Sequence, residues 1–181
     1  MPDVVQQVEQ ALSGPVRKAL KHGRPIPATS VADIQRGALE HPDEQVRRWC
    51  LFYLDHHAND ASTAVFAEAL RDDAPMVRDL ALHSITCEPC KEGDLCVADV
   101  VPHVIRVLEE DPVANLRVKA IGSLLALAGR DARAVEALQR AATADPDPLL
   151  RLCAAEALEG RYAPPAKRYE RSQRRHTKPH R

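Results

Sequence analysis

Three cysteines and two histidines hold the densest chemical potential in this 181-residue chain. Cys87, Cys90 and Cys96 lie in CEPCKEGDLC, a Cys-x2-Cys turn stiffened by Pro89 and followed by a third thiol. Two thiolates from one turn can share a tetrahedral ion, and zinc is the metal this spacing suits. His83 lies four residues before Cys87, on the same face if the segment is helical. His56 stands 31 residues before Cys87, the interval at which the chain repeats. Cys87, Cys90, Cys96, His83 and His56, with His57 beside it, are therefore the candidate ligands. The same thiols can also pair as Cys87–Cys96 or Cys90–Cys96, or stay free in a surface insertion, and the residue types leave all three states open. A redox-active Cys-x2-Cys is disfavoured, because no βαβ pattern surrounds it. Cys50 and Cys153 fall at or beside small, apolar periodic positions and are expected in the core.

A second chemistry sits at the other end. From Arg161 onward there are eight Lys and Arg residues against one acid, Glu170. The remaining 17 basic and 25 acidic residues precede them, so a body of −8 and a tail of +7 hide inside a net charge of −1. Lys167, Arg168, Arg171, Arg174 and Arg175 alternate with Tyr162, Tyr169 and His176, a mixture that can bind a phosphate backbone and stack bases. Segment 161–181 has three prolines and no apolar period, so disorder in isolation is expected. Its bland alternative is a solvated tail folding back on the acidic body, which would itself repel a duplex.

The elements that must position these groups follow one repeated sentence. A marker arginine recurs as Arg47, Arg78, Arg117 and Arg151, at spacings of 31, 39 and 34 residues. Before it stands Val46, Val77, Leu116 or Leu150. Three residues after it comes Cys50, Ala81, Ala120 or Ala154, and seven after it Leu54, Ile85, Leu124 or Leu158. Pro or Asp leads in each time, and self-similarity at this period is the mark of stacked helix pairs. The long interval contains the cysteine insertion, 87–97. Helices are expected over 3–12, from Ser30 (as N-cap) to His41, and over 43–57, 61–71, 75–86, 98–110, 113–128, 131–143 and 147–159. Residues 1–27, with a worn copy of the sentence around Arg17, read as an atypical N-terminal cap repeat.

The motif Asp/Pro-x3-4-Val/Leu-Arg-x2-Ala-x3-Leu, at 41–54, 72–85, 111–124 and 145–158, resembles HEAT and HEAT-like repeats of the kind found in phycobilin lyases and many adaptor proteins. The resemblance covers residues 1–160. It implies an all-α fold: a short right-handed α-solenoid of stacked antiparallel helix pairs.

Against an enzyme, the chain has no Gly-rich phosphate loop, no Gly-x-Ser-x-Gly, no His-Glu-x-x-His and no His-Glu dipeptide of the HEAT-like hydroxylases. No lyase residue can be assigned. The acidic body also lacks the basic face of HEAT-like glycosylases. A non-catalytic scaffold that binds another protein is the expectation. Exposed residues of the marker helices would do the binding: Arg48, Trp49, Asp55, Asp79, His83 and Lys119. A nucleic-acid-associated regulator using the tail is the alternative, and a lyase-like or metal enzyme at the cysteine loop a weaker third. Trp49, Phe52 and Tyr53 form one helical stripe, either a binding patch or inter-repeat core. Leu80 and His83 at the equivalent positions of the next repeat favour core. The acids near helix starts read as dipole caps. No secretory signal and no apolar run of membrane length is visible, so a cytoplasmic protein with reduced thiols is expected.

Overall fold

The computed structural model describes residues 4–12, 28–57, 60–86 and 99–163. Among them every regular element is an α-helix: α1 (Val4–Leu12), α2 (Ala28–Glu40), α3 (Glu44–His56), α4 (Asp60–Ala69), α5 (Pro75–Thr86), α6 (Val101–Glu110), α7 (Ala114–Leu127), α8 (Ala132–Ala144) and α9 (Pro148–Leu158). The all-α expectation holds. Ser30 is not an N-cap, since α2 already begins at Ala28. Helix α6 starts at Val101, three residues later than the apolar pattern suggested.

Contacts divide the chain into two compact units, Met1–Val100 and Val101–Arg181. In the first, α1 packs on α2, α2 on α3 and α4, α3 on α5, and α4 on α5. In the second, α6 packs on α7 and α8, α7 on α8 and α9, and α8 on α9. The marker helices touch one another within each unit, α3 with α5 in the first and α7 with α9 in the second.

Short helices this poor in aromatics depend on close aliphatic packing. Ile34, Leu51, Leu54, Phe66 and Val77 are fully enclosed in the first unit, and Val104, Leu108, Ile121, Leu124, Leu138 and Leu150 in the second. Burial of each such side chain stabilises the fold by about 1.5–3 kcal/mol. Gly37 lets α1 sit down on α2. A Cβ there would lie 2.5 Å from Val8 Cγ2 and 3.1 Å from Cys50 Sγ.

The repeated sentence also has a polar grammar. Six residues before each marker arginine stands His41, Asp72, Asp111 or Asp145. Each accepts the backbone N–H two residues on: Asp43, Ala74, Val113 and Asp147 respectively, at 2.8–3.0 Å. Histidine replaces aspartate in the first copy because its Nδ1 can play the same acceptor. That leaves the proton on Nε2, which is buried without a partner among the described residues. The marker guanidinium then closes the turn from the other side. Arg47, Arg78 and Arg151 donate to the carbonyls of residues six and five before them at 2.6–3.2 Å, and Arg117 reaches Asp111 O at 3.5 Å. These carbonyls fall at or just past helix C-termini, where orphan acceptors need donors. Asp43, Asp131 and Asp147 cap α3, α8 and α9 through the N–H groups of Gln45, Arg133 and Leu149.

Candidate functional site

Two marker arginines reach further. Arg47 on α3 makes a bidentate pair with Asp72 in the turn before α5, Nε to Oδ2 at 2.7 Å and Nη2 to Oδ1 at 2.8 Å. The Asp72 hydrogen bond holds the Arg47 guanidinium above its ordinary pKa. Arg117 on α7 does the same more loosely, with Nη2 3.9 Å from Asp145 and 3.8 Å from Asp147. The acids Asp72 and Asp145 are thus more than dipole caps. They receive the arginine of the neighbouring marker helix.

This lock sets the faces of α3 and α5. The residues two and five after the marker on α3, Trp49 and Phe52, point away from the core and are 50 % and 49 % exposed. This overturns the inter-repeat-core expectation for them. They lie well off the arc occupied by Cys50 and Leu54, and only Tyr53, nearer that arc, is buried. Their rings meet edge-on with centroids 6.2 Å apart, and the Phe52 ring lies 4.7 Å from His56. Met76 on α5 is also half exposed, with its sulfur 4.0 Å from Gln45 Nε2 at the N-terminal end of α3.

The other predicted partner-binding residues divide. Arg48, His83 and Lys119 are exposed, and Asp79 is half-buried. Asp55 is not on the surface: its side chain is 2 % exposed. It stands eight residues after the marker, on the side of α3 that meets α5. There Oδ2 lies 3.6 Å from His83 Nε2, while Oδ1 is buried without a partner among the described residues. A carboxylate so enclosed cannot serve as a surface contact.

The candidate metal set is only partly in view. His83 faces Asp55, and His56 uses Nδ1 on the Phe52 carbonyl at 3.0 Å. Cys87, Cys90 and Cys96 lie outside the described residues, as do Lys167, Arg168, Arg171, Arg174 and Arg175 of the tail. Among the described residues no group of three or more His, Cys, Asp or Glu side chains could hold an ion. Cys50 and Cys153 are buried, as expected, and burial pushes the Cys50 thiol up to about 12. Protonated and enclosed, Cys50 is a packing residue.

One functional position was missed in the sequence. After α9, Gly160 takes a left-handed φ of 70°. Arg161 N–H then donates to Glu156 O and Gly160 N–H to Ala157 O, the paired bonds of a Schellman turn. The reversal lays Tyr162 on α7, where its hydroxyl donates to Val118 O at 2.9 Å. Its ring lies over Gly122, where an added Cβ would come into ordinary contact with Tyr162 Cε1 at 3.4 Å. Burial, with Cys153 adding to it, pushes the Tyr162 phenol up to about 12. The available signal was the Glu-Gly-Arg-Tyr run after the last leucine of the repeat, a helix-stopping glycine followed by an aromatic.

No family model, no curated protein and no solved structure matches this chain. Among the described residues no helix is long and apolar enough to cross a membrane.

Proposed function

We propose that the chain is a short right-handed α-solenoid of HEAT-like helix pairs that works as a non-catalytic scaffold binding another protein. The observation that carries this reading is the exposed, edge-on aromatic pair Trp49–Phe52. A protein this poor in aromatics spends its one tryptophan outside the core, and aromatic anchors dominate interface energies once desolvated. The solenoid reading is supported by the contact of marker helix with marker helix within each unit. It is also supported by arginines that reach from one marker helix into the turn before the next. Arg48, Asp79 and His83 supply a polar rim on α3 and α5. Lys119 is the exposed residue at Trp49's repeat position in α7.

The test is affinity capture with the wild-type chain and with Trp49→Ala/Phe52→Ala, each with and without nuclease. A dominant protein lost only with the double variant, whatever the nuclease, supports the ridge as the binding face. An identical captured set for both proteins removes it. One observation favours a second reading, the +7 balance of residues 161–181. Material retained only by the chain carrying those residues and released by nuclease would move the function to nucleic acid and the tail.

A further inference from the structure

The last marker helix, α9, breaks the pattern of burial in its own unit. On α7 the side that meets α9 is closed: Val118, one residue after the marker, is 3 % exposed, and Leu124, seven after it, is 0 % exposed. At the same two positions on α9, Leu152 is 51 % and Leu158 is 41 % exposed. The marker arginine behaves alike. Arg117 reaches Asp145 and Asp147, whereas Arg151 has only the carbonyls of Asp145 and Pro146 and no carboxylate partner among the described residues. Glu159, eight residues after the marker, is exposed at the other end of the same side, where its carboxylate pairs with Arg161 of its own chain.

These residues have a symmetry of their own. Arg151 and Glu159 lie equally far on either side of Ala155, and so do Leu152 and Leu158. An antiparallel helix pair related by a two-fold axis brings together residues equidistant from the axis, and an isologous interface must be self-complementary in this way. With the axis at Ala155, each Leu152 meets the partner's Leu158, and each Arg151 lies opposite the partner's Glu159, which it would share with Arg161. The small side chain at the centre lets the backbones approach.

From this pattern we infer that the free side of α9 is a self-association surface, and that its occupant is α9 of a second copy of this chain packed antiparallel about Ala155. A head-to-tail contact has no such match. Helix α1 already covers α2, and the first receiving position carries His41 in place of an aspartate. The surface uses none of the residues of the Trp49–Phe52 ridge and does not depend on it. An eleven-residue helix is about 16 Å long, and a single helix-on-helix contact falls at the small end of interface sizes. The dimer is therefore concentration-dependent.

Sedimentation of the full chain over a concentration series tests it, alongside Leu152→Asp, Glu159→Lys and the control Leu39→Asp, which alters an exposed leucine on α2. A thermal melt of each variant checks folding. The expected result is a monomer–dimer equilibrium that persists with Leu39→Asp, is lost with Leu152→Asp and is weakened several-fold with Glu159→Lys. A full chain that stays monomeric up to its solubility limit overturns the inference. So does a dimer that survives Leu152→Asp and Glu159→Lys unchanged, which would place the contact elsewhere. A monomeric full chain that dimerises once residues 164–181 are removed also overturns it, and would make the tail the occupant of this side.

Discussion

Helices α3 and α7 occupy the same place in the repeated sentence, yet they treat the same face in opposite ways. Five residues after its marker, α3 carries Phe52, half exposed and stacked near His56. Five residues after its marker, α7 carries Gly122, and the missing side chain is replaced by Tyr162 from beyond α9. One unit leaves its aromatic surface open, and the other fills the equivalent surface from its own chain. The locks differ too. Arg47 grips Asp72 with two short bonds, while Arg117 shares itself between two acids at almost 4 Å. A closed ridge contributes to stability, whereas an open one is available to a partner.

The sharpest way to break this comparison is at the locks. Asp72→Ala leaves Nε and Nη2 of the largely enclosed Arg47 without their carboxylate and removes the acceptor of the Ala74 N–H. A loss of about 3 kcal/mol is expected in urea denaturation. Asp145→Ala should cost about half as much, roughly 1.5 kcal/mol. Arg117 keeps Asp147 within reach, and the pair it loses is long. Equal losses would mean that the two units are held by the same interaction.

Tyr162→Phe comes next. It removes one hydrogen bond to a helix carbonyl and should cost about 1 kcal/mol. Its pH signature separates it from the ion pairs. Because the folded phenol is raised from 10 to about 12, its contribution is complete below pH 10. It is lost as pH climbs through about 12. Spectrophotometric titration should show one late-ionising tyrosine in the wild type and none at that pH in the variant. The smallest effect belongs to Trp49→Ala/Phe52→Ala, expected to shift stability by about 0.5 kcal/mol or less, since both side chains are half in water already. A large drop in melting temperature would place the ridge in the fold and not on an interface.

Much of this was legible beforehand. The marker arginine, the small residue three later and the aliphatic seven later predicted the helices and most of the core, because helical period and burial are local properties of the pattern. The caps at Asp43 and Asp147 follow from residue type. Asp55 was misjudged because the character of a residue does not say which neighbour covers it. Eight residues after the marker, it meets α5, and its carboxylate is enclosed beneath the exposed His83. Phe52 was misjudged for the converse reason, while Trp49 reads both as core and as a binding residue. Large aromatics suggest burial, but both lie well off the arc that the adjoining helices cover.

The sequence by itself determined where this chain is helical, which positions turn inward and where acceptors and donors close each turn. All of these depend on residues within about six positions of one another. Tertiary structure decided which faces stay open. The pairing of Arg47 with Asp72, the return of Tyr162 onto α7 and the exposure of Leu152 and Leu158 on α9 depend on residues far apart in sequence. No local pattern encodes the neighbour that a side chain finally meets.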